Sequence, residues 1–240
     1  MLTTRKFIGK LYGLLRQNIY FWKLKQRNYG KGAKVVFSNY WKQNHWGIEE
    51  TKSGEGSTLL YTEQIRREIP VLLKRLNATR LLDAPCGDFH WFKEVELGRH
   101  IHYIGGDIVD EMIEGLNEKY ASSRREFIVI DVICDKLPIV DVWMCRDLIF
   151  HLPTSEIFRL IGNFLCSEVK YLLVTSHSVG GMKNNDTFMG GFRLIDLRKP
   201  PFNFPEPEEV MRDYIDGFPE RALLLYKREA LQSWQIINQR

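Results

Sequence analysis

The chain lacks acidic residues over its first 48 positions, although it contains 30 Asp and Glu among its 240 residues. The same 48 positions carry ten Lys or Arg, so the remainder, with 24 basic and 30 acidic residues, has a net charge of −6. The overall net charge of +4 therefore hides a basic N-terminal segment. Such a segment indicates either a solvated helix face or an anionic partner.

This segment also lacks an uninterrupted hydrophobic run, because Lys10, Arg16 and Lys23 divide its apolar residues. We therefore expect neither a signal peptide nor a membrane-spanning helix there. Its apolar residues recur at helical spacing, and most of the cations fall elsewhere on the helical wheel. Residues 1–28 are predicted to form a basic amphipathic helix that either packs on the domain or lies on an anionic membrane surface.

Cysteine is scarce, and the four cysteines form no C-x-x-C pair. We expect no zinc site and no disulfide framework, and hence a reducing, cytoplasmic compartment. No cluster of metal-ligating residues stands out, so no metal site is predicted.

Glycine is scarce where a nucleotide-binding turn would use it. The segment LLDAPCGDF, residues 81–89, keeps only Gly87, with Pro85 and Phe89 where flanking glycines would sit. A diphosphate needs close backbone approach and a helix N-terminus, and Asp88 would put a carboxylate in its place. The turn disfavours a dinucleotide, but it suits S-adenosylmethionine, which carries a cationic sulfonium and no phosphate.

Strand and helix patterns alternate along the chain, which predicts an α/β fold with a doubly wound, mostly parallel, seven-stranded sheet and helices on both faces. The predicted strands are Arg80–Asp83, Ile101–Asp107, Phe127–Asp131, Val140–Cys145, Tyr171–Ser176 and Ala222–Arg228. The predicted helices are Thr62–Leu76, a short one near Trp91–Val95, Asp110–Tyr120 and Thr154–Cys166. Pro70 should kink or divide the first of these. We divide the chain into a basic extension, residues 1–50, and a domain, residues 51–240.

Polar residues stand at the ends of four of the predicted strands, and in an open parallel sheet ligands bind beyond these strand ends. They are Asp83, Asp107, Asp131 and the pair Arg146–Asp147. Asp107 comes 24 residues after Asp83, where an acid can accept hydrogen bonds from both ribose hydroxyls and exclude a 2′-phosphate.

Residues 80–176 resemble a class I S-adenosylmethionine-dependent methyltransferase. Four motifs stand in the expected order, LLDAPCGDF, YIGGDIVDEMI, FIVIDVICDKLP and DVWMCRDLIFHLP. The segments SGEGSTLLYT, FRLIDL and PFNFPEP resemble uncharacterised bacterial methyltransferases associated with surface-polysaccharide synthesis.

The resemblance implies S-adenosylmethionine as cofactor. The residues implied for its site are Asp83, Ala84, Pro85, Gly87, Asp107, Ile108, Asp131, Val132 and Arg146. Asp83 would orient the amino group, Asp107 would hold the ribose, and Asp131 would meet the adenine together with the Val132 amide.

Methyl transfer to a hydroxyl also needs a base. His151 is the leading candidate because it lies four residues beyond Asp147 and has an ordinary pKa near neutrality; alternatively it packs against or caps the following helix. His177 is the second candidate, and Asp147 would orient His151 or contact the substrate.

The acceptor is expected under the irregular loop 178–207. Lys183 and Arg193 could pair with a phosphate or carboxylate, and three phenylalanines could either stack on a ring or hold the loop to the core: Phe192, Phe202 and Phe204.

The predicted activity is O-methylation of a glycan, sugar nucleotide or related polar small molecule. RNA or protein methylation and an inactive cofactor-binding scaffold are the alternatives, and nucleic acid is the disfavoured partner. We expect a cytoplasmic protein that associates peripherally with the inner membrane surface if residues 1–28 bind lipid.

Overall fold

The structure, a computed structural model, describes residues 18–238 and the side chains of residues 18–235. Most of the predicted N-terminal amphipathic helix lies outside the described residues. The described part, residues 18–28, is helical and is called α1.

A seven-stranded sheet forms the centre of the fold, in the order β3-β2-β1-β4-β5-β7-β6. Its strands are β1 (Arg80–Asp83), β2 (His102–Asp107), β3 (Arg125–Val129), β4 (Val142–Cys145), β5 (Tyr171–His177), β6 (Glu209–Arg212) and β7 (Arg221–Lys227). The first five are parallel, whereas β7 is antiparallel to both β5 and β6. The predicted seven-stranded sheet is confirmed, as a mixed sheet with one antiparallel hairpin.

Helices connect and flank the strands. They are α2 (Ala33–Lys42), α3 (Glu63–Arg75), α4 (Asp110–Tyr120), α5 (Thr154–Cys166) and α6 (Arg228–Asn238). The chain moves in opposite directions across the sheet through α4, from β2 to β3, and through α5, from β4 to β5. Because such crossovers are right-handed, α4 and α5 lie on opposite faces.

Several details differ from the sequence prediction. Strand β3 begins and ends two residues early, so Asp131 lies beyond its end. Helix α3 continues through Pro70 as one element, so the proline does not divide it. Thr62 occupies the N-cap position without a capping bond, since its hydroxyl donates to the carbonyl of Thr58 at 2.8 Å.

The burial of the strands explains why they could be predicted from the sequence. All four residues of β4 are buried, as are six of the seven in β5, which is typical of parallel strands covered on both faces. The strand order reverses at β1, with β2 on one side and β4 on the other. Ligands bind at such a switch point, beyond the carboxyl ends of the strands.

Helices α1 and α2 are tied to the loop that follows β5. The Asn28 side-chain amide donates to the Tyr40 hydroxyl at 2.7 Å and to the Met189 carbonyl at 3.0 Å. The Tyr40 hydroxyl in turn donates to the Gly190 carbonyl at 2.8 Å. This part of the N-terminal extension therefore packs on the domain, and the division at residue 50 stays a prediction.

Candidate functional site

A cavity of about 500 Å³ opens at the carboxyl edge of the sheet, around the switch point. The polar residues predicted at the strand ends all line it: Asp83, Asp107, Asp131, Arg146 and Asp147. Pro85, Gly87, Ile108 and Val132 line it as well, whereas Ala84 is fully buried behind the turn. The structure thus brings eight of the nine predicted cofactor-binding residues to one cavity.

The turn after β1 can dispense with glycine at position 89 because Phe89 belongs to the core. Phe89 adopts a left-handed backbone with φ of 59° and is 1% exposed. Its ring packs within 5.3 Å of Tyr103 and 5.0 Å of Phe127, measured between ring centroids. Aromatic packing of this kind offsets the cost of a left-handed backbone at a bulky residue.

Asp88 holds a second segment over the cavity, residues 51–57, which we call the strap. Its carboxylate accepts hydrogen bonds from the Thr51 hydroxyl at 2.7 Å, the Lys52 amide at 2.8 Å and the Ser53 hydroxyl at 3.0 Å. The backbone amide of Asp88 donates to the Ser53 hydroxyl at 2.9 Å. Asp88 is not among the cavity-lining residues. The expectation that its carboxylate occupies the space of a diphosphate is therefore wrong, because it is turned to the strap.

Two glycines allow the strap to lie this close. A Cβ atom on Gly87, whose φ is +56°, would stand 2.4 Å from the Ser53 hydroxyl oxygen. A Cβ atom on Gly56 would stand 2.9 Å from a carboxylate oxygen of Asp147 and 3.0 Å from Nη2 of Arg221. Residues 53–57 line the cavity, so the glycine-rich segment SGEGS forms its ceiling on this side.

Two buried carboxyl groups face the cavity from β1 and β2. Burial raises the pKa of Asp83 to about 7, although the Tyr103 hydroxyl donates to Asp83 at 2.8 Å and partly offsets the rise. Burial likewise raises the pKa of Asp107 to about 6. Hydrogen bonds from the backbone amides of Val109 and Gly87, both at 3.2 Å, lower this pKa and partly offset the rise. A cationic ligand would favour the ionised form of both groups.

Asp131 both caps the turn that follows β3 and lines the cavity. One carboxylate oxygen accepts a hydrogen bond from the Ile133 amide at 3.0 Å, so the side chain caps its own turn. Asp131 also lines the cavity beside Val132. Capping and ligand contact are compatible because a carboxylate has a second oxygen.

Four charged side chains surround the end of β4: Arg146, Asp213 and Arg221 are buried, and Asp147 is partly exposed. Arg146 donates to both carboxylate oxygens of Asp213 at 2.9 Å and to the Gly56 carbonyl at 2.7 Å, which ties the strap to the sheet. Arg221 pairs with Asp147 at 2.9 Å. Burial alone would raise the pKa of Asp147, but the guanidinium groups of Arg146 and Arg221 outweigh it and hold that pKa below its ordinary value. Asp147 therefore presents a carboxylate to the cavity at neutral pH.

His151 lies in a short 3₁₀ turn between β4 and α5 and lines the cavity. Its Nδ1 lies 2.7 Å from the Gly191 carbonyl. A carbonyl only accepts, so Nδ1 carries the proton and Nε2 keeps its lone pair. Burial lowers the pKa of His151 to about 4, so the ring is neutral at pH 7 and Nε2 can accept a proton.

His177, Lys183 and Arg193 lie outside the cavity lining. His177 is buried at the end of β5, where its Nδ1 accepts from the Ile195 amide at 3.3 Å. Lys183 is exposed. Arg193 is buried, and its guanidinium donates to the carbonyls of Leu152 at 2.9 Å and Asn185 at 2.6 Å. Of the three loop phenylalanines, Phe202 and Phe204 pack in the core and Phe192 lines the cavity.

The aromatic side of the cavity and two of the four charges were not predicted from the sequence. Aromatic side chains of α1, α2 and the segment after them line the half of the cavity near His151: Tyr20, Phe21, Phe37, Trp41 and Trp46. The sequence did contain an indication of this aromatic side, because the stretch NYWKQNHWG, residues 39–47, is rich in aromatic residues. No sequence pattern marks Asp213 and Arg221, because only the antiparallel hairpin of β6 and β7 brings them to the end of β4.

Among residues 18–238, no group of three or more His, Cys, Asp or Glu side chains is placed to hold a metal ion. Nor is any helix in that range both long and apolar enough to cross a membrane.

No protein-family model matches the sequence, and no curated protein matches it significantly. Solved structures do resemble it in fold. Magnesium protoporphyrin IX methyltransferase from Synechocystis, with bound S-adenosylhomocysteine, superposes with a TM-score of 0.54 at 14% identity, over 81% of this chain and 95% of that one. The 1,6-didemethyltoxoflavin-N1-methyltransferase of Burkholderia thailandensis superposes with a TM-score of 0.54 at 12% identity, over 81% of this chain and 86% of that one.

Human N-acetylserotonin methyltransferase, in complex with S-adenosylmethionine, gives a TM-score of 0.51 at 12% identity, over 78% of this chain and 61% of that one. Similarity at this identity establishes architecture rather than activity. The chain has the fold of class I S-adenosylmethionine-dependent methyltransferases.

Proposed function

We propose that this protein is an S-adenosylmethionine-dependent O-methyltransferase acting on a small hydroxylated molecule. The observation that carries the proposal is one cavity in which the acidic strand ends and the neutral His151 imidazole meet. The acids form the half that suits a cationic methyl donor, and His151 stands in the half lined by aromatic rings.

The cofactor half fits S-adenosylmethionine by the chemistry of its donors. Asp83 is a buried carboxyl whose pKa is raised to about 7 by burial. A cationic ligand group beside it would stabilise its ionised form. Asp83 would hold the amino group, Asp107 the ribose, and Asp131 with the Val132 amide the adenine edge. When bound, S-adenosylmethionine supplies an activated methyl group.

The remaining chemistry falls to the chain's own residues. As the acceptor oxygen forms its bond to carbon, its proton passes to Nε2 of His151. The Gly191 carbonyl fixes the tautomer that makes this possible, and the Asp147 carboxylate stabilises the protonated ring by its charge. Holding acceptor and methyl group in line supplies the rest of the acceleration, up to roughly 7–11 kcal/mol in favourable cases.

The acceptor half suits a ring. Trp46 and Phe192 stand beside His151, with ring centroids 4.9 Å and 6.0 Å from its own. A sugar presents an apolar C–H face to such rings, so a glycan or sugar nucleotide remains the first acceptor class to test. Lys183 and Arg193, which the sequence suggested as partners of an anionic acceptor, lie outside the cavity, so Lys52 in the lining is the cation left to test for that role.

The test is mass spectrometry of products after incubation with S-adenosylmethionine bearing a deuterated methyl group. Fractionated glycans, sugar nucleotides, hydroxylated aromatic compounds, RNA and protein would be offered separately, with His151→Ala as the matched background. Label on a hydroxyl oxygen of a small molecule supports the proposal. Label on RNA or protein supports those alternatives, and cofactor binding without product from any fraction supports an inactive scaffold.

Cofactor affinity is expected to depend on pH through Asp83. Below its pKa of about 7 the carboxyl is neutral in the free protein, and a bound ammonium group must first displace the proton. Because only the ionised fraction binds, we expect the apparent dissociation constant to rise about five- to tenfold from about pH 7.5 to about pH 6. Calorimetry in buffers of different ionisation enthalpy should detect the released proton.

Asp83→Asn is the control for this prediction, since it removes the titrating group while keeping the shape of the side chain. It should bind more weakly, with less dependence on pH. An affinity in the wild type that stays constant over this range would contradict the role of Asp83.

A further inference from the structure

The outer face of α1 and α2 carries positive charge without any negative charge. Residues 18–48 contain six cations and no Asp or Glu, and the cations are all exposed: Lys23, Lys25, Arg27, Lys31, Lys34 and Lys42. Lys34 pairs with Asp110, and Arg27 donates to Gln43. For the four remaining lysines, no acidic partner lies within 4.0 Å in the described part of the chain. The sequence before residue 18 adds four further cations and no acid.

Large apolar side chains stand exposed on the same face. Ile19, Tyr20 and Trp22 on α1 are 50%, 52% and 61% exposed, and Phe192 on the neighbouring loop is 49% exposed. Soluble surfaces seldom combine such residues in one place. Tryptophan and tyrosine among lysines are typical of segments that lie at a membrane interface, where their rings sit at the level of the headgroups.

This face borders the mouth of the cavity. Tyr20 and Phe192 are at once exposed and part of the cavity lining. Phe21 packs against Phe188, with ring centroids 5.7 Å apart, and Asn28 donates to the Met189 carbonyl. Helix α1 is therefore held against the loop 188–192, so a surface that binds α1 also meets the mouth.

We propose that this face docks on an anionic lipid bilayer, with Ile19 and Trp22 in the headgroup layer and the lysines against acidic lipids. Charge complementarity identifies the occupant, since the cytoplasmic leaflet is anionic and each lysine near it contributes to binding. The aliphatic Ile19 and Val35, both 50% exposed, favour lipid over nucleic acid, because they can enter a headgroup layer but cannot stack on bases. Docking requires no methyl transfer, so it stands or falls separately from the proposed activity.

The experiment is co-sedimentation of the full chain with vesicles of phosphatidylcholine alone or with about 30% phosphatidylglycerol, at low and at high salt. We expect binding to the anionic vesicles only, and release by salt. Lys23→Glu combined with Lys25→Glu should weaken that binding at least about tenfold. Ile19→Ser combined with Trp22→Ser should also weaken it, with the dependence on salt retained.

Lys74→Glu combined with Lys136→Glu is the charge-matched control, because both lysines are exposed and lie outside this face. It should bind vesicles like the wild type. All substituted side chains are exposed, and unchanged melting temperature and cofactor affinity would establish that the variants fold. Equal sedimentation with neutral and anionic vesicles, equal loss in the control, or binding to an RNA oligonucleotide in place of vesicles would overturn the proposal.

Discussion

Replacing His151 with alanine is expected to lower turnover about 10²-fold while leaving cofactor affinity unchanged. The side chain stands in the acceptor half of the cavity, with Nδ1 bonded to the Gly191 carbonyl and Nε2 left to accept a proton. A base whose pKa is about 4 is fully unprotonated at neutral pH but is weaker than an ordinary histidine. We therefore expect the lower end of the usual range for general base catalysis, which is about 10²-fold to 10⁴-fold.

The pH dependence carries a second signature of His151. The active form is the neutral ring, so the rate should fall as the pH drops through about 4 and stay level on this account near neutrality. An ordinary histidine would show this fall near neutrality, and burial moves it to lower pH. His177→Ala is the matched control, because the pKa of His177 is also lowered by burial to about 4, yet His177 lies outside the cavity lining. Near-normal turnover in His151→Ala would refute the base assignment.

Replacing Asp107 with alanine is expected to weaken S-adenosylmethionine binding by about 1 to 3 kcal/mol, the scale of lost hydrogen bonds to a charged group. Asp107 ends β2 at the cavity, where its carboxylate can accept from both ribose hydroxyls. It also accepts from the Gly87 amide at 3.2 Å, so the variant loosens the turn after β1 as well. Titration calorimetry measures the change.

Asp110→Ala is the control for Asp107, since Asp110 lies three residues later, half exposed and paired with Lys34 on the surface. It should bind the cofactor like the wild type. Absence of S-adenosylmethionine binding by the wild type, or tight binding of NAD in its place, would refute the cofactor assignment.

The cofactor half of the site was predictable because each of its acidic residues lies, in sequence, at or close to the end of the strand that positions it. Buried parallel strands appear in sequence as apolar runs, and each run here ends in the residue that meets the cavity, as at Asp83 and Asp107. Asp131 was found although its strand was placed two residues late, because the polar residue itself marks the edge of the sheet.

The acceptor half was harder to predict because long-range contacts build it. Helix α2 buries only Ala33, Val36 and Tyr40, too few to stand out from its polar and aromatic neighbours. Strand β6 is a four-residue edge strand with one buried residue, so its pattern is weak. Arg193 appeared suited to an anionic acceptor, but its guanidinium is used for the carbonyls of its own loop, which sequence spacing does not indicate.

The strap has a consequence for the rate of cofactor exchange. Covers over active sites often move on glycine hinges, and their opening can limit turnover. Here four hydrogen bonds, all to Asp88, hold residues 51–53 to the turn after β1, and each is worth about 0.5 to 1.5 kcal/mol or more. Lifting the strap breaks these bonds together with the one from Arg146 to the Gly56 carbonyl, so under the proposed function we expect Asp88 and Arg146, rather than backbone flexibility, to set the residence time of spent cofactor.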